Sequence, residues 1–299
     1  MACKVIRLFP RKMLNTKNIP LVEENWSIEP QRNLFDLRLG ELWRYRDLVL
    51  LFVRRDFVAV YKQTILGPLW YLVQPLLTTL TFTFIFGSVA KLPTDGLPQF
   101  LFYMSGTVIW TYFASCLTKT SETFVSNANL FGKVYFPRLA VPVSILISNL
   151  ITFTIQFVFF LAFMLFFALN GSLIHPNLWM LLTPLLILMM AGLGLGFGIL
   201  ISSLTTKYRD LRFLVTFGVQ LLMYATPVIY PVSSIPQRFQ WIILANPMTS
   251  IVEAFRYAFL GAGSVNRMQL LYSFGFMAVI VIVGITIFNR VEQTFMDTV

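Results

Sequence analysis

The side chains in this sequence that could bind or carry charge are few, and most of them are basic. Arg54, Arg55 and Lys62 fall on the polar side of an amphipathic stretch, where they would face lipid headgroups or a partner protein. Glu253 and Arg256 are three residues apart, so a helix would carry both charges on one face. Exposing that pair to lipid would be costly, and we therefore expect protein or water to cover it.

The sequence lacks the motifs of enzymatic, metal and nucleotide sites. There is no G-x-x-x-x-G-K-[ST] phosphate loop, because the Gly-Lys pair in "FGKVY" at 131–135 has neither the leading glycine nor the hydroxyl residue. The single histidine, His175, is interpreted as a surface-loop residue, and no Cys/His cluster offers a zinc site. A membrane-embedded glycan-processing enzyme would need clustered acids, whereas Glu122 and Asp210 are isolated. We therefore expect no catalytic residue, metal or cofactor in this chain, and uphill transport would take its energy from another chain.

Composition identifies the chain as an integral membrane protein. Hydrophobic residues make up 57% of its 299 residues and charged residues only 12%, against about 25% charged in soluble domains. Twelve of its 23 Lys and Arg residues lie in positions 1–62, before the first long apolar run. Such an excess is typical of a cytoplasmic segment that faces the membrane, more than of a nucleic-acid-binding protein. Cys3 lies in the basic tail and Cys116 in an apolar span, so no disulfide framework is expected.

The chain divides into a tail, an amphipathic helix and a membrane domain. Residues 1–40 are interrupted by prolines and predict an irregular cytoplasmic tail. Residues 41–64 predict a helix in the membrane interface, with Tyr45, Val49 and Phe52 opposite the basic residues. The alternative is that this helix packs on another cytoplasmic element. Residues 65–299 are predicted to form the transmembrane domain.

Six long apolar runs in that domain predict an all-α membrane protein with six transmembrane helices. The runs are 66–90, 99–117, 139–169, 178–204, 211–230 and 268–289. A seventh stretch is split by Asn246-Pro247, so the segment 233–260 is predicted to form short re-entrant helices on the outer side. With the N-terminus inside, 19 Lys and Arg residues fall in cytoplasmic segments and four in outer ones. That asymmetry predicts both termini in the cytoplasm.

Two of the runs contain residues that ordinary helices avoid. Pro75 frees the carbonyl oxygen of Tyr71 from its helical hydrogen bond, which permits a bend after Gly67-Pro68. Gln74 should face a partner helix or a wet path. In "GLGLGFG" at 192–198, glycines four apart form two faces, 192 with 196 and 194 with 198, and they predict close approach of neighbouring helices.

Aromatic residues make up 16% of the chain and admit two interpretations. Trp and Tyr at span ends commonly form belts at the membrane interface. Rings with polar tips would also suit a path for sugars, whose C–H faces rest on the ring while their hydroxyls bond to the polar tip. The candidates for both roles are Trp70, Tyr71, Trp110, Tyr112, Tyr224 and Tyr230.

Four motifs, in consistent order over about residues 40–290, resemble the ABC-2-type polysaccharide export permeases, the membrane subunits that export O-antigen, capsule or teichoic acid chains. "ILGPLWYLVQPL" at 65–76 resembles the first span of that family, and "NANLFGKVYFPRLAVP" at 127–142 resembles the cytoplasmic loop between its second and third spans. "YRDLRFLV" at 208–215 is similar to the start of its fifth span. The segment 225–261, which contains "ATPVIYP" and "ANPMTSIVEAFRYAFLG", resembles its outer-leaflet segment.

This resemblance implies a transport subunit of the bacterial inner membrane that forms a homodimer and binds two copies of a separate ATPase, which would hold ATP and Mg²⁺. It implies a path for a lipid-linked polysaccharide between the two subunits; an ABC-2 drug or lipid exporter is the alternative. Arg54, Arg55 and Lys62 would then meet the lipid diphosphate or serve as positive-inside anchors. Glu253 and Arg256 would form a gate or a structural pair at the outer mouth. Residues 127–138, with a short helix capped by Asn127 or Asn129, would dock on the ATPase through Asn129, Leu130, Phe131, Gly132, Lys133 and Tyr135.

Overall fold

The computed structural model describes residues 39–62, 64–134, 136–172, 174–208 and 210–298. These residues form helices joined by turns, and no strand occurs among them. The predicted tail at 1–40, apart from its last two residues, lies outside this part of the chain, as do Cys3 and Tyr135. The all-α prediction is confirmed for the residues described.

The described residues contain twelve α-helices. In chain order they are α1 (Leu39–Arg44), α2 (Arg46–Tyr61), α3 (Trp70–Phe82), α4 (Gln99–Ser121), α5 (Thr123–Ser126), α6 (Ala128–Phe131), α7 (Ala140–Leu169), α8 (Thr183–Thr205), α9 (Leu211–Tyr224), α10 (Gln237–Ala245), α11 (Pro247–Leu260) and α12 (Arg267–Thr298). Short 3₁₀ helices, Gly67–Leu69, Leu178–Leu182 and Val232–Ser234, precede α3, α8 and α10. A π-helix, Thr83–Val89, continues α3.

Five of the helical segments are long and apolar enough to cross a membrane. They are Gly67–Val89, Gln99–Ser121, Ala140–Leu169, Leu178–Thr205 and Arg267–Val291, and they confirm five of the six predicted spans. The prediction of a helix over 211–230 is wrong in its length, because α9 ends at Tyr224. Its 14 residues reach about 21 Å at 1.5 Å per residue, which is less than the hydrocarbon thickness of about 30 Å.

Helix α8 packs between α4 and α12, and its glycines let both neighbours come close. On the face toward α4, a Cβ atom on Gly194 would stand 2.7 Å from Cys116 Cβ, and one on Gly198 would stand 2.5 Å from Thr120 Cβ. Real Cβ atoms do not approach other atoms that closely, so these positions accept only glycine without a shift of the helices. The predicted close packing on this glycine face is confirmed.

The second glycine face of α8 packs against α12. A Cβ atom on Gly192 would stand 2.5 Å from Met277 Sδ, and one on Gly196 would stand 2.9 Å from the carbonyl carbon of Ile280. On both faces the contacts advance in the same direction along the two helices, so α4, α8 and α12 run parallel. The chain must therefore return, between the end of α8 and the start of α12, to the level at which α8 begins.

That return is made by α9 and by the non-helical residues that follow it. At one end, Arg212 Nη2 lies 3.4 Å from Glu122 Oε1, just past the C-terminal end of α4. At the other end, Ser233 Oγ donates a hydrogen bond to Asp95 Oδ1 (2.7 Å), just before α4 begins. Residues 212–233 therefore run antiparallel to α4 along its whole length, although only their first part is α-helical.

The segment that follows forms two short helices, as predicted, and they separate at Asn246-Pro247. Asn246 Oδ1 accepts a hydrogen bond from the Met248 backbone N–H (3.0 Å), which caps the N-terminus of α11. Its Nδ2 donates to Thr226 Oγ1 (2.8 Å) and fastens the helix pair to the residues after α9. Helix α11 is buried along nearly its whole length, so protein covers the charges of Glu253 and Arg256, as the sequence predicts.

The predicted amphipathic helix is present as α1 and α2. Val49 and Phe52 are buried, and the Phe52 ring lies 5.7 Å from the Phe136 ring beside the start of α7. This apolar face therefore packs on protein beside the start of α7, and the position of the helix in the membrane interface stays a prediction. Trp43, Leu50 and Leu51 are 70%, 58% and 61% exposed, so apolar surface remains on these helices for contact with lipid.

A residue of α7 binds the carbonyl oxygen that Pro75 leaves without a helical donor, while the bend expected at Pro75 stays a prediction. Without an N–H at position 75, the Tyr71 carbonyl oxygen has no helical donor. Gln156, only 4% exposed, donates its Nε2 to that oxygen at 3.1 Å. The Gln74 side chain is exposed, so it faces away from the interior of this chain.

The hydrogen bond from Gln156 to Tyr71 can be tested with a double-mutant cycle. Gln156→Leu leaves the Tyr71 carbonyl oxygen unpaired in an apolar setting, and we expect a loss of about 1–3 kcal/mol in unfolding free energy. Pro75→Ala restores a helical N–H to the same oxygen, so Gln156→Leu should cost much less in that background. The measurement is denaturant-induced unfolding in detergent micelles, with Gln74→Leu as the exposed control. Equal costs in both backgrounds would contradict the assignment.

The glycine packing of α8 predicts unequal effects for two glycine-to-alanine changes. At Gly196 the added methyl group meets backbone atoms of α12, so overpacking should lower the unfolding free energy by about 1–3 kcal/mol. Gly275→Ala is the matched control, since nothing lies within 4 Å of the added atom and alanine is the better helix former. Thermal unfolding should rank Gly196→Ala below wild type and Gly275→Ala at or above it. A Gly196→Ala variant as stable as wild type would show that the α8–α12 contact is loose.

Candidate functional site

A buried arginine joins three elements in the half of the bundle where α4 begins. Arg256, 1% exposed, donates from Nη1 to the Pro227 carbonyl oxygen (2.5 Å) and from Nη2 to the Val228 carbonyl oxygen (2.6 Å). Its Nε donates to Ser105 Oγ (3.3 Å), and its guanidinium lies over the Phe102 ring, 3.8 Å from the centroid. One side chain of α11 thus binds both α4 and the non-helical segment after α9.

That segment, residues 225–231, leaves the helical conformation because Pro227 ends α9. A residue before proline avoids helical dihedral angles, and proline has no N–H to donate. Thr226 uses its hydroxyl to bind the Leu222 carbonyl oxygen at 2.7 Å. The carbonyl oxygens of Pro227 and Val228 are those that Arg256 binds, so the unwound backbone is satisfied inside the protein, as a membrane requires.

Gly106 in α4 allows the unwound segment to approach. A Cβ atom there would stand 2.7 Å from the Val228 carbonyl oxygen and 2.9 Å from Arg256 Nη2. No sequence signal singled out Gly106, because it lies within an ordinary apolar helix. The pair Thr226-Pro227 did indicate the helix end, because the residue before a proline avoids helical dihedral angles. The predicted span 211–230 did not take this proline into account.

Glu253 lies one turn before Arg256 and faces the same site. Its Oε1 stands 3.8 Å from Arg256 Nη1, and its Oε2 accepts a hydrogen bond from the Ser264 backbone N–H (3.3 Å). Burial raises the pKa of the Glu253 carboxyl, while the neighbouring guanidinium favours the ionised form and offsets part of that rise. The two residues have the geometry of a structural ion pair, and a gating role for them stays a prediction.

Two of the six aromatic candidates lie inside the helical bundle. Trp110 is 6% exposed and packs on Phe113, with 5.3 Å between ring centroids; Tyr112 is 3% exposed and packs on Phe153 at 5.1 Å. Because they are buried within a single chain, they line neither a path between subunits nor a belt at the lipid interface. Both interpretations are wrong for these two residues, since α4 is buried on nearly every side.

The other four aromatic candidates reach the surface of the chain at two places. Trp70 is 46% exposed at the start of α3, and Tyr71 beside it is half-buried, with its ring stacked 6.2 Å from that of Phe57. Tyr224 is 47% exposed at the end of α9, and the Tyr230 hydroxyl donates to its carbonyl oxygen (2.7 Å). A role for these four in lining a path stays a prediction.

The basic residues toward the end of α2 are exposed but differ in their surroundings. Arg54, Arg55 and Lys62 all reach the surface. Arg55 Nη2 lies 2.8 Å from Asp56 Oδ1, and its guanidinium covers the Phe52 ring at 4.9 Å. Because Asp56 neutralises part of the charge at Arg55, Arg54 and Lys62 are the stronger candidates for binding a diphosphate.

The loop between α4 and α7 forms the short helices α5 and α6, and its predicted docking residue Phe131 points inward. Phe131 is 3% exposed and packs against the rings of Phe124 and Phe136 at 6.0 and 5.6 Å. The prediction that Phe131 docks on a partner is therefore wrong, because it anchors the loop to its own chain. Asn127 precedes α6 but donates its Nδ2 to the Thr123 carbonyl oxygen (3.0 Å), so its side chain does not cap that helix.

The surface that this loop presents is small and mixed in character. Val134 is 55% exposed, and Leu130 is half-buried. Tyr135 lies outside the described residues, and a docking role for this loop stays a prediction. The other exposed candidates in the loop are Asn129, Gly132 and Lys133.

His175 lies exposed in the loop before α8, as predicted. Its backbone N–H donates to the Leu260 carbonyl oxygen (3.4 Å), which ties this loop to the end of α11. Within the described ranges, no three His, Cys, Asp or Glu side chains cluster closely enough to hold a metal ion.

Arg256→Leu should destabilise the protein strongly, because it leaves the Glu253 carboxylate buried without its counter-ion and two carbonyl oxygens buried without their donor. We expect a loss of about 3–5 kcal/mol in unfolding free energy, measured by thermal unfolding of the purified protein. Arg238→Leu on α10 is the matched control, because Arg238 is exposed and surface changes usually stay within about 0.5 kcal/mol. Similar melting temperatures for the two variants would argue against a central role for Arg256.

Comparison with known proteins identifies the family. A model of the ABC-2 type transporter family matches residues 47–260, which run from the first turn of α2 to the end of α11. An O-antigen export system permease protein, RfbA, of Klebsiella pneumoniae is 30% identical over 253 residues, covering 84% of this chain and 94% of that protein. RfbA of Myxococcus xanthus is 28% identical over 222 residues (73% and 82%), and the polysialic acid transport protein KpsM of Escherichia coli is 24% identical over 239 residues (78% and 89%). With the family model matching well over half of its length, this chain belongs to the ABC-2 type transporter family.

Proposed function

We propose that this chain is the permease subunit of an ATP-driven exporter that moves a lipid-linked polysaccharide, such as O-antigen, capsule or teichoic acid, across the bacterial inner membrane. The observation that carries the proposal is the match over 94% of an O-antigen export permease, because it extends through nearly all of that protein. Similarity to a polysialic acid transport protein supports the same class of cargo. The names of these relatives do not favour a drug or lipid exporter.

The energy for transport comes, in this proposal, from a separate ABC ATPase present in two copies that bind ATP and Mg²⁺. This chain's own sequence has no phosphate loop. Two permease copies form a homodimer with the polysaccharide path between them. The exposed side chain of Gln74 supports this arrangement, because a polar group on the outside of a span is costly against lipid. A second copy, or a wet path between the copies, would remove that cost.

We further propose six crossings with both termini in the cytoplasm. Five crossings are the long apolar segments, and the other consists of α9 together with the unwound residues 225–231. The parallel course of α4, α8 and α12 supports this count, since one more crossing is needed between α8 and α12. The orientation follows from the 19 basic residues assigned to cytoplasmic segments against four outside.

The lipid-linked glycan enters, in this proposal, beside the C-terminal end of α2. Arg54 and Lys62 are exposed there, in the residues that lead into α3. Their charge-assisted hydrogen bonds would hold the diphosphate of the carrier. Trp70, exposed at the start of α3, would offer a flat apolar surface to the lipid chain or to the first sugar.

Reconstitution in proteoliposomes tests the proposal. With permease, its ABC ATPase and ATP, a fluorescent polyprenyl-diphosphate-linked glycan should cross the membrane, whereas the permease alone should neither transport it nor hydrolyse ATP. The double variant Lys133→Glu/Val134→Asp should insert normally but bind the ATPase about ten-fold more weakly, because it reverses the charge and removes the apolar contact of the loop surface.

Arg267→Glu/Met268→Asp, at the start of α12, is the matched control, because it makes the same change in charge at the opposite end of the bundle. It should leave ATPase binding at the wild-type level. Robust ATP hydrolysis by this chain alone would reject the exporter proposal. Unchanged ATPase binding by Lys133→Glu/Val134→Asp would reject only the docking surface.

A further inference from the structure

A polar cavity of about 540 Å³ lies at the end of the bundle where α4 and α12 begin. The loop before α4, the 3₁₀ helix Val232–Ser234, α10, the turn after α11 and the first turn of α12 meet around it. Its size falls within the range of roughly 300–1,000 Å³ that is usual for small-molecule sites. The polar side chains around it include Asp95, Ser233, Gln240, Glu253, Asn266 and Gln269.

The lining of this cavity differs from the rest of the membrane domain. Between residues 57 and 291 the sequence has only four acidic residues, and two of them, Asp95 and Glu253, line the cavity. Three carboxamides, Gln240, Asn266 and Gln269, accompany them. Among the described residues that line the cavity none is basic. The nearest guanidinium, that of Arg256, lies outside the lining and is already paired with Glu253. The lining therefore offers an anion such as phosphate little attraction, and a polyhydroxy compound is the better ligand.

The turn after α11 holds one of these carboxylates in place. Gly261 and Gly263 adopt φ values of 77° and 102°, and a Cβ atom on Gly263 would stand 3.0 Å from Glu253 Oε2. The Ser264 N–H holds that same oxygen at 3.3 Å. A carboxylate has about four lone-pair positions, so Glu253 is oriented here and still keeps acceptor capacity.

The second carboxylate is held in the same way from another part of the lining. Ser233 Oγ donates to Asp95 Oδ1 at 2.7 Å, which joins the 3₁₀ helix before α10 to the loop before α4. Asp95 itself has a positive φ of 49°, an uncommon conformation that aspartate tolerates better than most residues. Asp95 therefore also keeps lone pairs for a ligand while its position is set by the fold.

We propose that this cavity binds one neutral sugar unit of the exported glycan, an inference that rests on the proposed function. The carboxylates accept hydrogen bonds from sugar hydroxyls, and the carboxamides both donate and accept, so together they match the mixed donors and acceptors of a pyranose ring. The cavity lies within one chain, so each permease copy holds its own sugar beside the mouth, separate from a path between the two copies.

Saturation-transfer NMR on the full-length permease in nanodiscs tests this site with D-mannose, D-galactose and N-acetyl-D-glucosamine as probes. We expect saturation transfer to at least one of the three sugars. The double variant Gln240→Leu/Gln269→Leu should bind it about ten-fold more weakly, because two hydrogen-bonding amides are lost. Gln237→Leu is the matched control, since Gln237 is exposed on α10 outside the cavity. Asp95→Asn, which keeps the side-chain size, replaces the double variant if that variant does not fold.

Several results would overturn the sugar site. These are no transfer to any of the three sugars, equal binding by the double variant and Gln237→Leu, or tighter binding of glucose 1-phosphate than of the neutral sugars. A Ca²⁺ site in the cavity that excludes all three sugars would overturn it as well. The proposed function fails separately: ATP-driven export with no sugar binding rejects only this cavity, whereas sugar binding without any ATP-driven export rejects the exporter.

Discussion

The hydrogen bonds from Arg256 to the carbonyl oxygens of Pro227 and Val228 are the interaction on which the membrane domain depends most. Backbone that leaves the helical conformation among apolar helices needs partners from the protein itself, because the hydrocarbon offers none. A guanidinium supplies several donors in a fixed plane, so one side chain can bind two consecutive carbonyl oxygens and α4 together. Without it, a helix of 14 residues could not be continued by unwound chain, and the return from α8 to α12 would lack its second half.

The same physical problem arises at Pro75, and it is solved in the same way. Proline deprives the Tyr71 carbonyl oxygen of its donor, and Gln156 of α7 supplies one at 3.1 Å. In both places a proline creates an acceptor that cannot be left unpaired, and a buried polar residue from a distant helix binds it. These polar residues are costly inside an apolar bundle unless bonded, so each proline and its donor have to be considered as a pair. The proline within α3 and the unwound end of α9 are thus parts of the helix packing.

Sequence reasoning succeeded where the signal was local. The apolar runs set the five long segments to within a few residues, the four-residue glycine spacing identified both faces of α8, and Asn246-Pro247 marked the break before α11. It failed where the answer depended on contacts across the fold. The periodicity of α4 cannot reveal that Trp110 and Tyr112 are enclosed, because neighbouring helices cover the faces that an amphipathic pattern would leave to solvent. In the sequence Phe131 lies in a loop, whereas in the structure its ring packs in a buried aromatic cluster. The sequence likewise did not reveal which side chains donate to the unpaired carbonyl oxygens, because Gln156 is 85 residues from Tyr71 along the chain.

Glu253 contacts the buried arginine and also lines the cavity at the end of the bundle. A movement of its carboxylate would therefore affect both sites. Its Oε1 faces Arg256 at 3.8 Å, while its Oε2 is held by the Ser264 N–H in the cavity wall. A carboxylate that turned away toward a ligand would leave the guanidinium less compensated in a site where an unpaired charge is costly. Glu253 is therefore bound on both sides, and a change in the cavity can reach the unwound segment after α9 through Glu253 only by altering its contact with Arg256.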